Sequence, residues 1–342
     1  MYSLDNGARF VIPRTELTFP AHMMRMHGNA AAADVDHIMA DFEDACPPDF
    51  KGTPSREVVI ESFNTTDFGS KVVTFRPNNI HSQYFLGDVS ALVQGAPDKF
   101  HGIILPKIEL PEEIAYVDNL LTALEREAGW TTRISLEVLI ESPLALVNAY
   151  QIATASDRMV GLIFGLADFA ASIGVREVVQ DQNQSFHYAK QAVVVSAKAA
   201  GLHAMDNVFF TLVRGDTSEE DAEIIRNNFR EKNVGAARMG MDGTWVIHPQ
   251  QASIANEVYS PTDAEIDEDI RSIDYYHAEG GGALVFPETN EFLDEATIKG
   301  KLATLAKGVQ AGKVSKEYLA DAVAKSEAVT GFSNTDVQKR TI

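Results

Sequence analysis

The feature that most restricts how this sequence can fold is a repeated alternation of short apolar runs with longer helical stretches. This alternation is typical of strand–helix units around a parallel sheet whose strands are buried on both faces. The candidate strands are Arg9–Pro13, Ile38–Asp41, Val72–Arg76, Gly102–Pro106, Ile134–Glu141, Val160–Gly165, Asn207–Leu212 and Gly235–Met239. Eight strands is the count of a closed barrel, whereas an open flavodoxin-like sheet usually has fewer. The sequence therefore predicts an α/β protein with a (β/α)₈ TIM barrel.

The repeating pattern stops after Pro261. A helix-like stretch, Asp263–His277, is followed by Gly280-Gly281-Gly282 and then by two further helical segments near Ala296–Ala306 and Lys316–Ala328. The glycine run is typical of a hinge. We therefore expect a catalytic barrel over residues 1–261 and a C-terminal helical lid or oligomerisation segment over residues 262–342.

Charge and composition exclude several classes of partner. The net charge of −20 opposes binding to nucleic acid or to an anionic membrane, and no apolar run approaches the ~20 residues that span a bilayer. The N-terminus lacks the basic and apolar regions of a signal peptide, and the single cysteine, Cys46, has no partner for an internal disulfide. These features predict a cytoplasmic protein.

Charged residues follow the candidate strands at the point where each strand ends. Five of the apolar runs lead into such residues, namely Asp41, Glu43 and Asp44, then Arg76, then Lys107 and Glu109, then Glu141, and then Asp168. In a parallel barrel the C-terminal ends of the strands share one rim, where the loops assemble the active site. We therefore expect these side chains to converge.

Glu141 and Asp168 end two successive strands and are the predicted metal ligands. Mg²⁺ takes one or two protein carboxylates and leaves its other positions to water and substrate oxygens. The sequence has no Cys–His or His–His spacing typical of a zinc site. The alternative is that both acids pair with rim cations or cap helices.

Three further rim residues and one residue inside the barrel have candidate roles. Arg76 is suited to stabilising negative charge on an oxygen, and its alternative is an ion pair with Glu43 or Asp44. These two acids are suited to binding metal-coordinated waters, and their alternative is N-capping of the next helix. Glu137 shares a strand face with Glu141 and should point into the barrel, either to orient a ligand or to join an interior salt bridge with Arg76 or Lys107.

Other enzyme classes find no support in the sequence. It contains no Gly-x-Ser-x-Gly nucleophile elbow, no Walker A loop and no Gly-x-Gly-x-x-Gly fingerprint, and Cys46 has no nearby histidine. We therefore find no argument for acyl-enzyme chemistry, ATP or NAD.

At these same residues the chain resembles the HpcH/HpaI aldolase and citrate lyase β-subunit family, and within it the malyl-CoA lyases. The similarity spans most of the chain and rests on the order and spacing of several motifs. These motifs are Arg9–Pro13, Phe42–Ala45 with Pro48 and Lys51, Thr66–Gly69 with Arg76, Leu105–Glu109, Ile140–Pro143, Gly165–Ala170, Trp245–Gln251 and Val258–Pro261.

The resemblance implies a division of roles among the rim residues. Glu141 and Asp168 would hold Mg²⁺, with Mn²⁺ as a substitute, and Arg76 would contact the oxo-acid oxygen and the enolate. Glu43 and Asp44 would support the metal-bound waters. The family also places coenzyme A (CoA) across the barrel mouth. The candidates for binding it are Arg14, Arg25, Lys51 and Arg56 at the phosphates and His248 and Pro249 near the adenine.

The resemblance also implies a homotrimer or homohexamer in which the lid of one subunit supplies a catalytic acid to its neighbour. Family members carry that acid in an Asp-Gly-Lys-Met string, which is missing here. Glu288, or else Asp294, is the candidate replacement.

The expected function is that of a Mg²⁺-dependent CoA-ester lyase. Such an enzyme cleaves or forms the carbon–carbon bond of a 3-hydroxyacyl-CoA such as malyl-, citramalyl- or citryl-CoA, giving an acyl-CoA and glyoxylate, pyruvate or oxaloacetate. The alternatives are a CoA-independent class II 2-oxo acid aldolase, a malyl-CoA thioesterase and a catalytically degenerate barrel subunit.

Overall fold

The computed structural model of the chain describes residues 2–4, 9–176 and 185–330. The remaining residues, including the end of the predicted C-terminal segment at 331–342, lie outside this description. By internal contacts the chain forms two compact units, Met1–Tyr259 and Ser260–Ile342.

The first unit is built on a closed parallel barrel. An antiparallel pair, β1 (Tyr2–Leu4) and β2 (Arg9–Val11), precedes it. The barrel strands are β3 (Thr15–Pro20), β4 (His37–Asp41), β5 (Val72–Arg76), β6 (Gly102–Leu105), β7 (Ser135–Ile140), β8 (Met159–Phe164), β9 (His203–Asp206) and β10 (Gly243–Val246). They pair in parallel in chain order, and β10 closes the barrel against β3. The predicted TIM barrel is confirmed.

Helices connect the barrel strands and cover their outer faces. They are α1 (Met24–Ala32), α2 (Thr53–Thr65), α3 (Phe85–Gly95), α4 (Pro111–Ala128), α5 (Pro143–Val147), α6 (Ala149–Ala153), α7 (Leu166–Ser172), α8 (His187–Ala199), α9 (Glu219–Met239) and α10 (Ala252–Val258). Apolar side chains such as Phe75, Leu92 and Leu121 fill the space between strands and helices. Within the described part of the chain, each helix is too short or too polar to cross a bilayer.

The first predicted strand, Arg9–Pro13, is wrong as a barrel strand. Arg9–Val11 pairs with β1, and the barrel begins at β3. β3 was missed because it carries polar residues at positions that the barrel buries: Thr15 and Glu16 are both fully buried.

The last two predicted strands are also wrong. Asn207–Leu212 follows β9 instead of forming it, and Gly235–Met239 is the last turn of α9. α9 ends where Gly240 takes a left-handed conformation (φ 100°) that favours glycine. The apolar run Gly235–Met239 therefore reflects helix packing: Ala236 is fully buried.

A buried ionic group lies on β9. Asp206 contacts Lys190 at 3.1 Å and Lys232 at 2.8 Å, and all three side chains are fully buried. Burial alone would raise the pKa of Asp206, but the two ammonium groups hold it below its usual value. These residues tie β9 to α8 and α9.

The second unit is a helical unit with one hairpin. It contains α11 (Asp263–Ala278), β11 (Leu284–Phe286), β12 (Glu291–Leu293), α12 (Glu295–Gln310) and α13 (Lys316–Thr330). Its own core includes Ile273, Leu302 and Leu305. Gly280, Gly281 and Gly282 all have positive φ, as expected for a turn that leaves α11. The lid role of this unit stays a prediction.

Candidate active site at the barrel mouth

The charged residues predicted at the strand ends do converge. A cavity of about 290 Å³ opens at the C-terminal ends of the strands, and its wall includes Asp41, Asp44, Arg76, Glu141, Asp168 and Trp245. Because β4, β5, β7, β8 and β10 run in parallel, their last residues meet at this rim.

Of the two predicted metal ligands, Glu141 is the more deeply buried. It follows β7, is 5% exposed, and accepts a 2.9 Å hydrogen bond from the backbone N–H of Lys107. Burial raises the pKa of Glu141 to about 8; Arg76 opposes the shift, whereas Glu43 and Asp168 add to it. A carboxylate in this setting gains from a cation beside it.

Asp168 lies in the first turn of α7 and faces the same cavity. The Asp168 side chain is 42% exposed, so its carboxylate lies on the solvent side of the cavity, whereas the carboxylate of Glu141 is buried. The two predicted ligands therefore differ in burial but share one space.

Arg76 is the centre of the ion pairs at the mouth. Its Nε and Nη2 donate to the carboxylate of Asp41 at 2.7 and 2.5 Å, and its Nη1 lies 3.2 Å from Glu43 and 3.6 Å from Asp44. The guanidinium also lies 5.2 Å from the ring centroid of Trp245. Burial alone would lower the pKa of Arg76, but Asp41 raises it above its usual value. Arg76 thus stays charged inside the cavity.

Two residues of the mouth were noted in the sequence without a catalytic role. Asp41 orients Arg76, and Lys107 joins the acids: its Nζ lies 3.0 Å from Glu43, 3.9 Å from Asp44 and 3.9 Å from Asp168. Lys107 also has a left-handed backbone (φ 54°), which is uncommon for a residue with a side chain. From the sequence alone, only their positions at the C-terminal ends of β4 and β6 indicated that they lie at the mouth.

The residues present fit a hard divalent cation. The mouth brings together five carboxyl groups and two basic groups, Arg76 and Lys107, so full ionisation of the acids leaves three negative charges in excess; the acids are Asp41, Glu43, Asp44, Glu141 and Asp168. Oxygen donors in an acidic cavity are what Mg²⁺ prefers. Glu141 and Asp168 are the two whose oxygens are least committed to Arg76.

The predicted CoA-binding residues fall at different places. Lys51 lies near the mouth and donates to the carbonyl of Glu43 at 2.9 Å. Arg56 is in the first turn of α2, where it pairs with Asp88 at 2.8 Å. Arg25 is exposed near the start of α1, which follows the C-terminal end of β3.

Arg14 needs a correction. It precedes β3 and therefore lies at the N-terminal end of the barrel, opposite the mouth. Its guanidinium is held by Asp36, with Nε and Nη2 each donating at 2.7 Å. This bidentate pair ties the entry of β3 to the entry of β4, which is a structural role.

His248 and Pro249 follow β10 on the mouth side of the barrel. His248 accepts a hydrogen bond from the Gln250 N–H at 3.2 Å and lines a second cavity, of about 320 Å³, together with Phe209 and Phe229. Pro249 begins the short 3₁₀ turn beside it.

Glu288 and Asp294 belong to the second unit. Glu288 is exposed in the turn between β11 and β12 and pairs with Arg271 at 3.0 Å. Asp294 caps α12 by accepting from the Thr297 N–H at 2.9 Å. Of the two candidate lid acids, Asp294 therefore has a structural task of its own.

The chain matches the HpcH/HpaI aldolase/citrate lyase family over residues 14–249, which covers the whole barrel. It is 32% identical to the L-malyl-CoA/beta-methylmalyl-CoA lyase of Cereibacter sphaeroides (strain ATCC 17025 / ATH 2.4.3) over 304 residues, covering 84% of this chain and 91% of the relative. It is 31% identical to the citrate lyase subunit beta of Leuconostoc mesenteroides subsp. cremoris, covering 74% of this chain and 78% of the relative.

The fold is also that of a solved protein, CitE from Mycobacterium tuberculosis in complex with magnesium, acetoacetate and coenzyme A. The TM-score is 0.66 at 21% identity, covering 86% of this chain and 98% of the other. At that identity the likeness establishes the fold. The match to the family model and the identity to the named lyases establish more: the chain belongs to the HpcH/HpaI aldolase/citrate lyase family and is a carbon–carbon lyase.

Proposed function

We propose that the chain is a Mg²⁺-dependent lyase that cleaves, or in reverse forms, the carbon–carbon bond of a 3-hydroxyacyl-CoA. The observation that carries this proposal is the placement of Glu141, Asp168 and Arg76 on one cavity of about 290 Å³. Two metal-type carboxylates beside one guanidinium suit a substrate with a carboxylate and a neighbouring hydroxyl. The relative from Cereibacter sphaeroides is named for such substrates.

Glu141 and Asp168 would hold the metal. When bound, Mg²⁺ polarises the hydroxyl and carboxylate oxygens of the substrate and lowers the hydroxyl pKa. Lys107 supports this arrangement in two ways: its backbone N–H positions the carboxylate of Glu141, and its ammonium balances Glu43 and Asp168.

Arg76 would bind the acid fragment. Asp41 fixes two of its nitrogens, so the guanidinium presents a constant face toward the cavity. In cleavage the hydroxyl loses its proton, the carbon–carbon bond breaks, and its electron pair passes to the acyl-CoA carbon as an enolate, which then takes up a proton. The fixed positive charge of Arg76 stabilises negative charge on the oxo-acid oxygens through these steps.

A carboxylate from the second unit would exchange the proton with the acyl-CoA carbon. We propose Glu288 for this task, supplied by a neighbouring subunit of a homotrimer or homohexamer. It is exposed, and its ion pair with Arg271 is at the surface and therefore weak.

Lys51, Arg56 and Arg25 lie on the mouth side of the barrel and would face the CoA phosphates. To reach them, Lys51 would leave the Glu43 carbonyl and Arg56 would leave the Asp88 carboxylate. The cavity beside His248, which is lined by Phe209 and Phe229, would take an aromatic group such as the adenine. CitE from Mycobacterium tuberculosis, which shares this fold, contains both magnesium and coenzyme A.

The test is a substrate panel with product identification. Purified protein is assayed with malyl-, methylmalyl-, citramalyl- and citryl-CoA, with and without Mg²⁺, and both the 2-oxo acid and the acyl-CoA are measured. We expect Mg²⁺-dependent formation of both products with at least one ester, and its loss in Asp168→Asn. Free thiol without acyl-CoA would show a thioesterase, turnover of free acids without CoA would show an aldolase, and cleavage retained in Asp168→Asn would refute the metal assignment.

A matched variant addresses the proton carrier. Glu288→Gln should retain binding of CoA, measured by titration calorimetry, but lose turnover. Asp294→Asn, which disturbs only the cap of α12, should keep most of its turnover. The reverse result would assign the role to Asp294.

A further inference from the structure

A second polar cluster lies inside the barrel, below the mouth. Glu16, His37, Glu137 and His203 are all 0–1% exposed and lie on four different strands. Glu16 is in register with His37 on the adjacent strand, while Glu137 and His203 both pair with Gly161 of the strand between them. In this cluster Glu137 contacts two histidines: its Oε1 lies 2.9 Å from His203 and 4.0 Å from His37.

An apolar layer separates this cluster from the mouth. It lies two residues further along the strands and includes Met39, Leu139, Ile163 and Met205, together with Ile104 of β6. Asp41, Glu141 and Gly165 lie a further two residues along the strands, at the mouth. The lower cluster is therefore not part of the candidate active site.

The hydrogen bonds of His37 fix its tautomer. The hydroxyl of Thr74 donates its only proton to the carbonyl of Ile38 at 3.0 Å, so its 2.8 Å contact with His37 Nε2 requires that Nε2 carries the proton. In the neutral ring the other nitrogen, Nδ1, is therefore the one with a lone pair. Its Nδ1 lone pair then points toward the carboxylates of Glu16 and Glu137.

The distances inside the cluster suit an ion better than direct hydrogen bonds. Nδ1 of His37 lies 3.7 Å from Glu16 Oε2 and 4.0 Å from Glu137 Oε1, beyond normal hydrogen-bond length. Ligand atoms about 2.1 Å from a shared tetrahedral ion are about 3.4 Å apart. One ligand atom from each of the three residues can be chosen so that all lie within 4.8 Å of one another.

The carboxylate of Glu16 is buried without a hydrogen-bond donor in the described part of the chain. Neither of its carboxylate oxygens has a hydrogen bond among the described residues, although the side chain is fully buried. Such a group needs either a proton or a cation.

We propose that Glu16, His37 and Glu137 bind one first-row divalent cation of the Zn²⁺ type inside the barrel. The donor set of one imidazole and two carboxylates favours such an ion over Mg²⁺, which prefers oxygen donors alone. Two carboxylates and one divalent cation also make a neutral site. His203 Nε2 lies 2.9 Å from Glu137 Oε1 and holds that carboxylate in place.

Two features of the chain support the site without taking part in it. A methyl group built on Gly161 would overlap the His203 ring, so glycine at this position makes room for the histidine. The Nε2–H of His37 is bound by Thr74, which is the outer-shell arrangement of most metal-binding histidines. The ion would be structural because the apolar layer keeps substrate away.

The test uses cobalt as a spectroscopic probe. The full chain carrying Asp168→Asn, which removes the mouth site, is produced in minimal medium with Co²⁺, dialysed against EDTA, and examined by elemental analysis and visible absorption. We expect close to one Co²⁺ per chain with the d–d bands of a low-coordinate N/O site. Protein that is folded by circular dichroism but holds no Co²⁺, with Zn²⁺ also absent after growth in Zn²⁺, would overturn the proposal.

Two isosteric variants separate an ion from a shared proton. In the same background Glu16→Gln should lower the retained cobalt at least about tenfold and lower Tm, whereas Glu43→Gln, a buried glutamate above the apolar layer, should keep the cobalt. If the carboxylates instead share protons, Glu16→Gln removes a buried acid without losing an ion. An equal or higher Tm with unchanged metal content in that variant would then contradict the metal site.

Discussion

The carboxylate of Asp41 holds the guanidinium of Arg76 at two points, at 2.7 Å from Nε and 2.5 Å from Nη2. Asp41 is itself fixed because it accepts the backbone N–H groups of Glu43 and Ala45, each at 2.9 Å. The orientation of Arg76 is therefore set by the turn that follows β4, and not by the substrate.

This relationship predicts the effect of Asp41→Asn. The amide keeps the shape of the side chain but loses the charge that orients Arg76, so we expect kcat to fall about 10²-fold with a smaller change in KM. Steady-state kinetics with the best CoA ester measures this. Asp36→Asn is the matched control, because Asp36 holds Arg14 in the same bidentate way at the opposite end of the barrel. Equal losses of kcat in both variants would show a general effect of stability.

The affinity for Mg²⁺ should depend on pH. The pKa of Glu141 is raised to about 8, so below pH 8 a proton competes with the metal. We expect the Mg²⁺ affinity to rise about tenfold per pH unit up to pH 8 and to level off above it. Titration calorimetry from pH 6.5 to 9 checks this. A constant affinity over that range would show that Glu141 does not take part.

The same shift has the opposite sign for the stability of the metal-free protein. Between the usual pKa of a glutamate and about 8, the folded state holds one more proton at Glu141 than the unfolded state does. The contribution of Glu141 to the free energy of unfolding therefore decreases as pH rises through this window. In Glu141→Gln this decrease should be absent, and urea unfolding in EDTA at several pH values measures the difference.

Gly165→Ala should damage the metal site selectively. A methyl group at this position would overlap Cγ of Glu141, so the carboxylate must move. We expect Mg²⁺ affinity and kcat to fall at least about tenfold, while the far-ultraviolet circular dichroism stays that of the barrel. Gly28→Ala is the control: an added methyl group at this position of α1 meets nothing within 4 Å, so both values should stay unchanged. Normal Mg²⁺ binding in Gly165→Ala would place the metal elsewhere.

Asp206→Ala should destabilise the barrel strongly. Removing this carboxylate leaves Lys190 and Lys232 buried without their counter-charge, which typically costs about 3–5 kcal/mol. The midpoint of urea unfolding reports the loss. Glu257→Ala, which breaks a surface pair with Arg230, should cost less than about 1 kcal/mol. A small effect for Asp206→Ala would mean that water reaches these lysines.

The sequence located the mouth better than the strands that build it. Arg76, Glu141 and Asp168 were found because each is a charge placed directly after an apolar run, and the rule that parallel strands share one rim brings them together. Asp41 and Lys107 have the same signal, but their roles depend on which neighbour each contacts. A linear pattern does not contain that information.

Two of the missed strands, β3 and β9, share a physical reason. β3 contains Thr15 and Glu16, and β9 begins with His203 and ends with Asp206, all of them buried. Strand prediction from hydrophobic patterns treats polar residues as exposed, whereas these residues are buried because they contact polar groups from distant parts of the chain. The cluster of Glu16, His37 and Glu137 could not be predicted, because the spacing rules for metal ligands apply to residues close in sequence and these three are far apart.

The apolar layer of Met39, Leu139, Ile163 and Met205 has a consequence for how the barrel could change over time. Because this layer fills the barrel between its two polar regions, substitutions at the rim can reshape the mouth while the packing below the layer stays the same. New substrate preferences can therefore arise at the rim while the lower half of the barrel keeps its composition and its contribution to folding.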